Sequence, residues 1–283
     1  GNKKNVSLKR IWCHFFFAIK LWAFGIVTRW DVVVISSIPP EALMAARLLR
    51  KRALVVDVRD IWPDALQAYG RLSRSARAFG IYCDWLFGKT LKKADRVMIV
   101  APGFRRWLRR YRALWPRQVK FVPLGFRRED FRPLSKDSGD YAFCYAGGAT
   151  PQFDIREFAP EFGLTKGIVL GSGPLLESWK DAFPNTEFRG AVPRAEAMEV
   201  MARARLLLFP SNPFAQLPNK AFDYFALGHR VALGANCSRA TETLLSLRNR
   251  RADGENDGWE DYRALDKEAI AQRAANIVEG AIN

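Results

Sequence analysis

Lys220 and Asp223 stand three residues apart in the stretch LPNKAFDYFALGHRVAL, residues 217–233. One is a cation and the other a carboxylate, and their neighbours predict where they sit. Pro218 fixes φ and has no N–H, which suits a helix entry, and Asn219 is a good N-cap. Phe222, Phe225 and Ala226 fall at i, i+3 and i+4 and make one apolar face. Gly228 ends the helix as a C′ glycine does, and residues 231–233 read as a buried strand. A helix N-terminus carries unpaired N–H groups and a partial positive charge. A lysine in that first turn is unfavourable for the helix itself. Lys220 makes sense there if it meets an anion, for example a diphosphate held by the same N–H groups. Asp223, one turn later, could accept hydrogen bonds from sugar hydroxyls. The plainer alternative is a capped surface helix with an ordinary solvated lysine.

Four further groups could do chemistry. Residues 53–58 read as a strand that runs into DVRDIWPD, which sets Arg59, Asp60 and Asp64 just past its end. Ligands gather at the carboxyl ends of parallel strands, although an Arg–Asp pair there can also be a plain salt bridge. Gly147 and Gly148 follow the strand-like YAFCYA, and glycine lets backbone approach a ligand closely. Gly171, Ser172 and Gly173 follow a strand at residues 167–170, but G-S-G lacks the third glycine of a dinucleotide fingerprint. An NAD enzyme is therefore rejected. Arg105, Arg106, Arg109, Arg110 and Arg112 crowd a helix expected over residues 103–117, with Trp107 and Trp115 among them. They form either a solvated face or a contact for anionic lipid or a lipid-linked pyrophosphate.

The elements that must position these residues alternate. Strands are expected at residues 31–37, 53–58, 95–100 and 120–123, then at 141–146, 167–170, 186–190 and 204–210. Helices are expected at 39–50, 71–93, with Ser73 as N-cap, and 195–203, and a last one at 266–279. Such alternation means parallel α/β sheets. The polar, glycine-containing SKDSGD at residues 135–140 reads as a linker between two domains.

The totals agree. A chain of 283 residues suits two modest domains. With 49% hydrophobic and 26% charged residues it is globular. Lys and Arg number 45 against 29 Asp and Glu, a net charge of +16, which favours anionic partners. Cys13, Cys83, Cys144 and Cys237 are far apart and the only histidines are His14 and His229, so a zinc site is not expected. Isolated cysteines fit a reducing cytosol.

Residues 6–28 are rich in aromatics but interrupted by Lys9, Arg10, His14 and Lys20, so a membrane span is not expected. On a helical wheel Leu8, Ile11, Trp12, Phe15, Ile19, Trp22 and Ile26 make a wide apolar face. The basic residues lie opposite, accompanied by Phe17 and Phe24. This helix either covers the sheet of its domain or lies in a lipid headgroup region, and one face could do each. His14 reads as a surface residue rather than a ligand.

Residues 218–231 resemble the P-[SN]-K-x-[FL]-[ED]-Y-x-[AF]-x-G-x-P-V stretch of GT-B glycosyltransferases. The likeness is to bacterial family 4-like enzymes of polysaccharide assembly, and also to xanthan-type glucuronosyltransferases. DVRDIWPD is similar to the D-x-R-D-x-W-P-[DE] of many such enzymes, VPLGFRREDFRPL to V-x-P-N-G-V-D-x-x-x-F-x-P, and GSGP to a G-x-G-P turn. The resemblance implies an α/β GT-B fold, two Rossmann-like domains facing a cleft. Residues 1–134 would form the acceptor-side domain, 135–140 the linker and 141–283 the nucleotide-sugar domain. Only the tail of the family's usual opening region precedes Asp31, so the N-terminal domain is expected to be shortened. The last helix in this fold often crosses back to the first domain.

By the same resemblance Lys220 contacts donor phosphates and Asp223 the donor sugar. Asn219, Gly147, Gly148, Gly171, Ser172, Gly173 and Gly190 would complete the donor site. Phe188, Ala191 and Val192 would lie near the base. Arg59 and Asp60 become active-site candidates, with Trp62 and Pro63 shaping their loop. Asp60 is favoured as the group that orients or deprotonates an acceptor, because a carboxylate can take a hydroxyl proton. The chain departs from the family in three places. Ala215 replaces the first glutamate of the usual E-x7-E pair, Arg230 replaces a proline, and GGATPQFD lacks the cations that often follow the glycine loop.

The expected function is transfer of a sugar from a nucleotide-diphosphate sugar to a carbohydrate or lipid-linked acceptor in cell-surface polysaccharide biosynthesis. No metal or other cofactor is expected, since Lys220 and the helix start would stabilise the leaving diphosphate. The protein is placed in the cytoplasm, peripheral at an anionic inner membrane face, with no nucleic acid as partner. One rival is a non-catalytic GT-B relative that binds a nucleotide sugar or a partner enzyme. The other, a nucleic-acid-binding protein, rests only on net charge, and no nucleic-acid motif accompanies it.

Overall fold

The computed structural model describes residues 8–61, 74–111, 118–127, 139–212, 216–252 and 265–282. The chain divides into two compact units, Gly1–Pro123 with Ala271–Asn283, and Leu124–Ile270.

The first unit is built on four parallel strands in the order β1-β2-β3-β4. They are β1 (Trp30–Ser36), β2 (Lys51–Val58), β3 (Arg96–Ile99) and β4 (Val119–Phe121). Val33 lies opposite Leu54, Val56 opposite Val97 and Ile99 opposite Phe121. Residues 53–56 of β2 are all buried, as a strand covered on both faces requires, which is why its sequence is a continuous apolar run. The helices are α1 (Leu8–Gly25), α2 (Pro40–Leu48), α3 (Arg74–Leu91) and α4 (Phe104–Leu108). The helix expected over 103–117 is shorter. It changes to a 3₁₀ turn at Arg109–Tyr111, where Tyr111 packs edge-on against Trp107 and donates to Asp84. Arg112 and Trp115 lie outside the described residues.

The apolar face expected of α1 does not pack. Trp12, Phe15, Ile19, Trp22 and Ile26 remain exposed, as do Phe16, Phe17 and Phe24. The less exposed residues are His14, Ala18, Leu21 and Gly25, spaced along one side of the helix, and α1 packs on α2. Small residues allow the close approach: a Cβ on Gly25 would lie 2.6 Å from a Leu49 methyl. His14 lies at the edge of this contact, its side chain 30% exposed. Its Nδ1 lies 3.5 Å from a carboxylate oxygen of Glu41, which is only 4% exposed.

The second unit holds five parallel strands in the order β7-β6-β5-β8-β9. These are β5 (Phe143–Ala146), β6 (Gly167–Leu170), β7 (Glu187–Gly190), β8 (Leu206–Phe209) and β9 (Arg230–Leu233). Helices α5 (Ala159–Phe162), α6 (Leu176–Ala182), α7 (Arg194–Ala202), α8 (Asn219–Leu227) and α9 (Arg239–Ala252) connect or follow them. The last helix, α10 (Lys267–Ile282), starts in this unit and counts with the first from Ala271 onward. Phe143, Tyr145, Ile155, Val169, Trp179, Phe183 and Leu208 form one core, and Phe188 packs against it.

Strand order runs outward in both directions from β5, so the topological switch point falls beside its carboxyl end, where Gly147 follows. The loops there are closely fitted. Gly147 N–H donates to Leu170 O at 2.9 Å and Ala149 N–H to Ser172 O at 3.0 Å. A Cβ on Gly171, whose φ is 144°, would meet the Gly147 carbonyl oxygen at 1.8 Å. Gly171→Ala is accordingly expected to destabilise the protein by about 1–3 kcal/mol, the usual cost of forcing an extra carbon into packed structure. Denaturant unfolding checks this, and an unchanged midpoint would mean that the two loops part without cost.

Candidate nucleotide-sugar site

The site grows from α8. Pro218 occupies the N-cap position with φ −72° and ψ 155°, and no side chain caps the helix. Asn219 is thus the first helical residue rather than the cap; it is exposed. Proline serves because its carbonyl receives the Ala221 N–H at 3.0 Å. Gly228 ends the helix in the left-handed conformation, φ 88°. Phe222 and Phe225 are fully buried, and so is Tyr224. Tyr224 Oη accepts the Ala146 N–H and donates to Leu208 O, both at 3.3 Å, and so ties α8 to β5 and β8.

This anchoring carries Lys220 to the glycine loop. Its Nζ donates to Tyr145 Oη at 2.9 Å, and Tyr145 Oη donates in turn to Gly148 O at 3.1 Å. The ammonium also lies 3.9 Å from the centre of the Phe153 ring and 4.4 Å from that of Tyr145. A Cβ on Gly147 would stand 2.8 Å from Nζ. Lys220 as a whole is half-buried, but its ammonium end is enclosed, and burial lowers its pKa from 10.5 to about 7. The two aromatic faces favour the charged form, yet among the described residues no carboxylate pairs with it. A solvated surface lysine is not what the fold contains.

The other expected donor residues converge on the same strand ends. Gly171, Ser172 and Gly173 follow β6 and bond to the glycine loop through Ser172 O. Gly190 ends β7 with φ 74°, and its carbonyl accepts the Gly171 N–H at 2.6 Å. Asp223 is engaged by an arginine. It is 9% exposed, and both its oxygens are bound by Arg194, at 2.8 and 3.0 Å. Ala215 lies outside the described residues.

Arg59 and Asp60 belong to the first unit, just past the carboxyl end of β2. Arg59 pairs with Asp57 at 2.6 Å, and its N–H reaches Ser37 Oγ at 3.2 Å. Asp60 accepts the Ile61 N–H at 2.9 Å and is partly exposed. Asp64, Trp62 and Pro63 lie outside the described residues.

Sequence reasoning missed Tyr145, Phe153 and Arg194. Tyr145 shares a strand face with core Phe143 and reads as core; only its place two residues before Gly147 hints at more. Phe153 lies beyond the loop, and Arg194 pairs with Asp223 across 29 positions, so no local spacing marks either. Gln152 and Gln216 join the glycine loop to the segment before α8 by a side-chain hydrogen bond of 2.8 Å.

Parallel α/β units with a glycine-lined switch point beside a helix start are the parts of the GT-B class, and this chain has that fold. Residues 14–125 match the glycosyl transferase 4-like domain. No curated protein matches the chain significantly. Among solved structures, it is similar to sucrose-phosphate synthase from Thermosynechococcus elongatus, at 14% identity over 99% of this chain and 81% of that one, TM-score 0.68. It is also similar to HepE from Anabaena, solved with UDP-glucose, at 11% identity over 93% and 82%, TM-score 0.62. A third is the lipopolysaccharide outer core galactosyltransferase WaaB, at 14% identity over 98% and 82%, TM-score 0.58.

The lowered pKa of Lys220 has a stability consequence. The unfolded chain holds this proton up to about 10.5, the folded chain only to about 7. Between these values the unfolded state binds more protons, so native stability rises with pH. Below pH 7 the full cost of burying the ammonium is present. Lys220→Met should therefore raise the melting temperature most at pH 6 and progressively less toward pH 9.5. A gain that does not depend on pH would show that the ammonium is solvated.

Proposed function

We propose that this chain is a glycosyltransferase that moves a sugar from a nucleotide-diphosphate sugar to a carbohydrate or lipid-linked acceptor. The observation that carries the reading is the enclosed Lys220 ammonium, without a carboxylate partner among the described residues, against the glycine loop at the switch point. An anion that fits this place meets a cation, the N–H groups of a helix start and a backbone free of side chains. The bond from sugar to diphosphate breaks with negative charge growing on the diphosphate. Lys220 and the α8 N-terminus stabilise that charge, and they are already oriented before the reaction. The approaching diphosphate also favours the protonated amine, so donor binding takes up a proton above pH 7.

Asp223 holds donor hydroxyls, with Arg194 fixing its carboxylate plane. Asp60 orients or deprotonates the acceptor, and Arg59, through Asp57, shapes the same turn. Lys220 and the helix start supply the charge that a metal supplies elsewhere, so no metal is required in this reading. The likeness to HepE, solved with UDP-glucose, favours a uridine nucleotide as donor.

The acceptor side is read as membrane-linked. No described helix is long and apolar enough to cross a membrane. α1 nevertheless exposes Trp12 at 58% and Phe24 at 72%, and α3 exposes Ile81 at 72% and Trp85 at 48%. Aromatic side chains beside Lys20 suit a helix lying at the headgroup level of an anionic, cytoplasmic membrane face. This supports an acceptor assembled on lipid for surface polysaccharide. The second reading, binding without turnover, is favoured by Arg194, which occupies both oxygens of Asp223.

Thermal unfolding with a panel of nucleotides and nucleotide sugars separates the two together with a transfer assay. A selective rise with one UDP- or GDP-sugar is expected, with sugar transfer that Lys220→Ala lowers by about 10²-fold while the protein stays folded. Unchanged turnover in that variant refutes the phosphate role, and binding without any transfer favours the second reading. For the membrane face, Trp12→Ser/Phe16→Ser/Phe24→Ser should abolish co-sedimentation with phosphatidylglycerol-containing vesicles. Retained sedimentation would locate membrane contact elsewhere.

A further inference from the structure

The first unit contains a concavity of about 410 Å³ beside β4, the edge strand of its sheet among the described residues. That volume is within the ~300–1,000 Å³ of small-molecule sites. Four cations line it: Arg96, Arg105, Lys120 and Arg273. They come from four elements, since Arg96 opens β3, Arg105 lies in α4, Lys120 in β4 and Arg273 in α10. On α10 the lining residues Arg273, Asn276, Ile277 and Gly280 fall at i, i+3, i+4 and i+7, one face of the helix. Among the described residues no Asp or Glu lines the concavity.

Like charges gathered from separated elements repel and cost stability unless something answers them. Here no protein acid does, because among the described residues none of the four forms an ion pair. The guanidinium groups are held instead by neutral backbone. Arg96 donates to Asp95 O and Gly280 O, both at 2.9 Å, and Arg105 to Val119 O at 3.4 Å. These bonds orient the forks without neutralising them, and each arginine has further donors to offer. Asn276 Oδ1 accepts from Gln272 at 2.9 Å, which leaves its amide N–H groups as donors as well. Oriented guanidinium forks, a lysine and an amide are the donor set that a phosphate takes up.

We infer that Arg96, Arg105, Lys120 and Arg273 form a second anion site that takes a phosphate group. It lies in the first unit, whereas the glycine loop and Lys220 lie in the second. Arg96 is at the amino end of β3, while Asp60 follows the carboxyl end of the neighbouring parallel β2. The inference does not depend on the glycosyltransferase reading. The phosphate can belong to a free phosphorylated molecule or to a lipid headgroup, and the two sources separate experimentally.

The probes are pyrophosphate and vesicles, and the protein is the full chain with Lys220→Met, which silences the enclosed cation of the second unit. Lys120→Ser/Arg273→Ser is the test variant, because neither side chain makes a hydrogen bond that the fold depends on among the described residues. Arg127→Ser/Arg239→Ser removes the same charge elsewhere and serves as control. Calorimetry is expected to show one pyrophosphate per chain, weakened about tenfold or more by the test pair and less than about twofold by the control. That result supports the site with a free phosphate as ligand. No pyrophosphate binding, but sedimentation with phosphatidic acid vesicles that the test pair alone reduces to the same extent, supports it with a lipid phosphate. Equal losses in test and control pairs, or no loss in either assay, overturn the inference.

Discussion

An ammonium group enclosed between two aromatic rings without a carboxylate is an expensive thing for a protein to keep. Desolvation works against its charge, and here it is strong enough to bring Lys220 to about 7. The second unit is arranged to keep it all the same. Tyr224 pins α8 to two strands, Tyr145 both accepts from the lysine and donates to the Gly148 carbonyl, and Gly147 leaves the space that any side chain would fill. The desolvated ammonium and the glycine each cost stability or freedom on their own. Each makes sense if an anion completes the set. The loops beside it are interlocked through Gly171 and Gly147, so the place is preformed rather than assembled on demand.

Much of this was legible in the residues. Short apolar runs bounded by turn residues located the parallel strands, and β6 occupies residues 167–170 as read. Proline before and glycine after α8 placed that helix and hence Lys220. What the pattern could not give were contacts across distance. Arg194 and Asp223 are not related by any helical or strand period, so the engagement of Asp223 was invisible, as was the Phe153 ring over Lys220. Arg59 was read beside Asp60, its nearest acid in the motif. In a strand, however, residues two apart share a face, and Arg59 turns back to Asp57.

α1 shows a different limit. The wheel of that helix has its largest apolar residues on one side, and the pattern left open whether that side meets the sheet or a lipid surface. The fold uses His14, Ala18, Leu21 and Gly25 instead, because close approach of α1 to α2 needs small side chains. Hydrophobicity identifies what leaves water, but it does not say whether the destination is a protein core or another apolar phase. Charge is equally indirect. The surplus of +16 could not reveal that four of its cations share one concavity while a fifth is enclosed in the other unit.

The division of the chain has a consequence for how the molecule is made. The second unit, Leu124–Ile270, is inserted between two segments of the first. A ribosome therefore releases all of the second unit before it delivers residues 271–282. The five-stranded sheet can close while the four-stranded one still lacks a helix. In that interval the nascent first unit shows α1 with its exposed aromatics, but the concavity by β4 lacks the Arg273 face. An aromatic surface exposed on an unfinished unit is open to association with other apolar surfaces while synthesis is still under way.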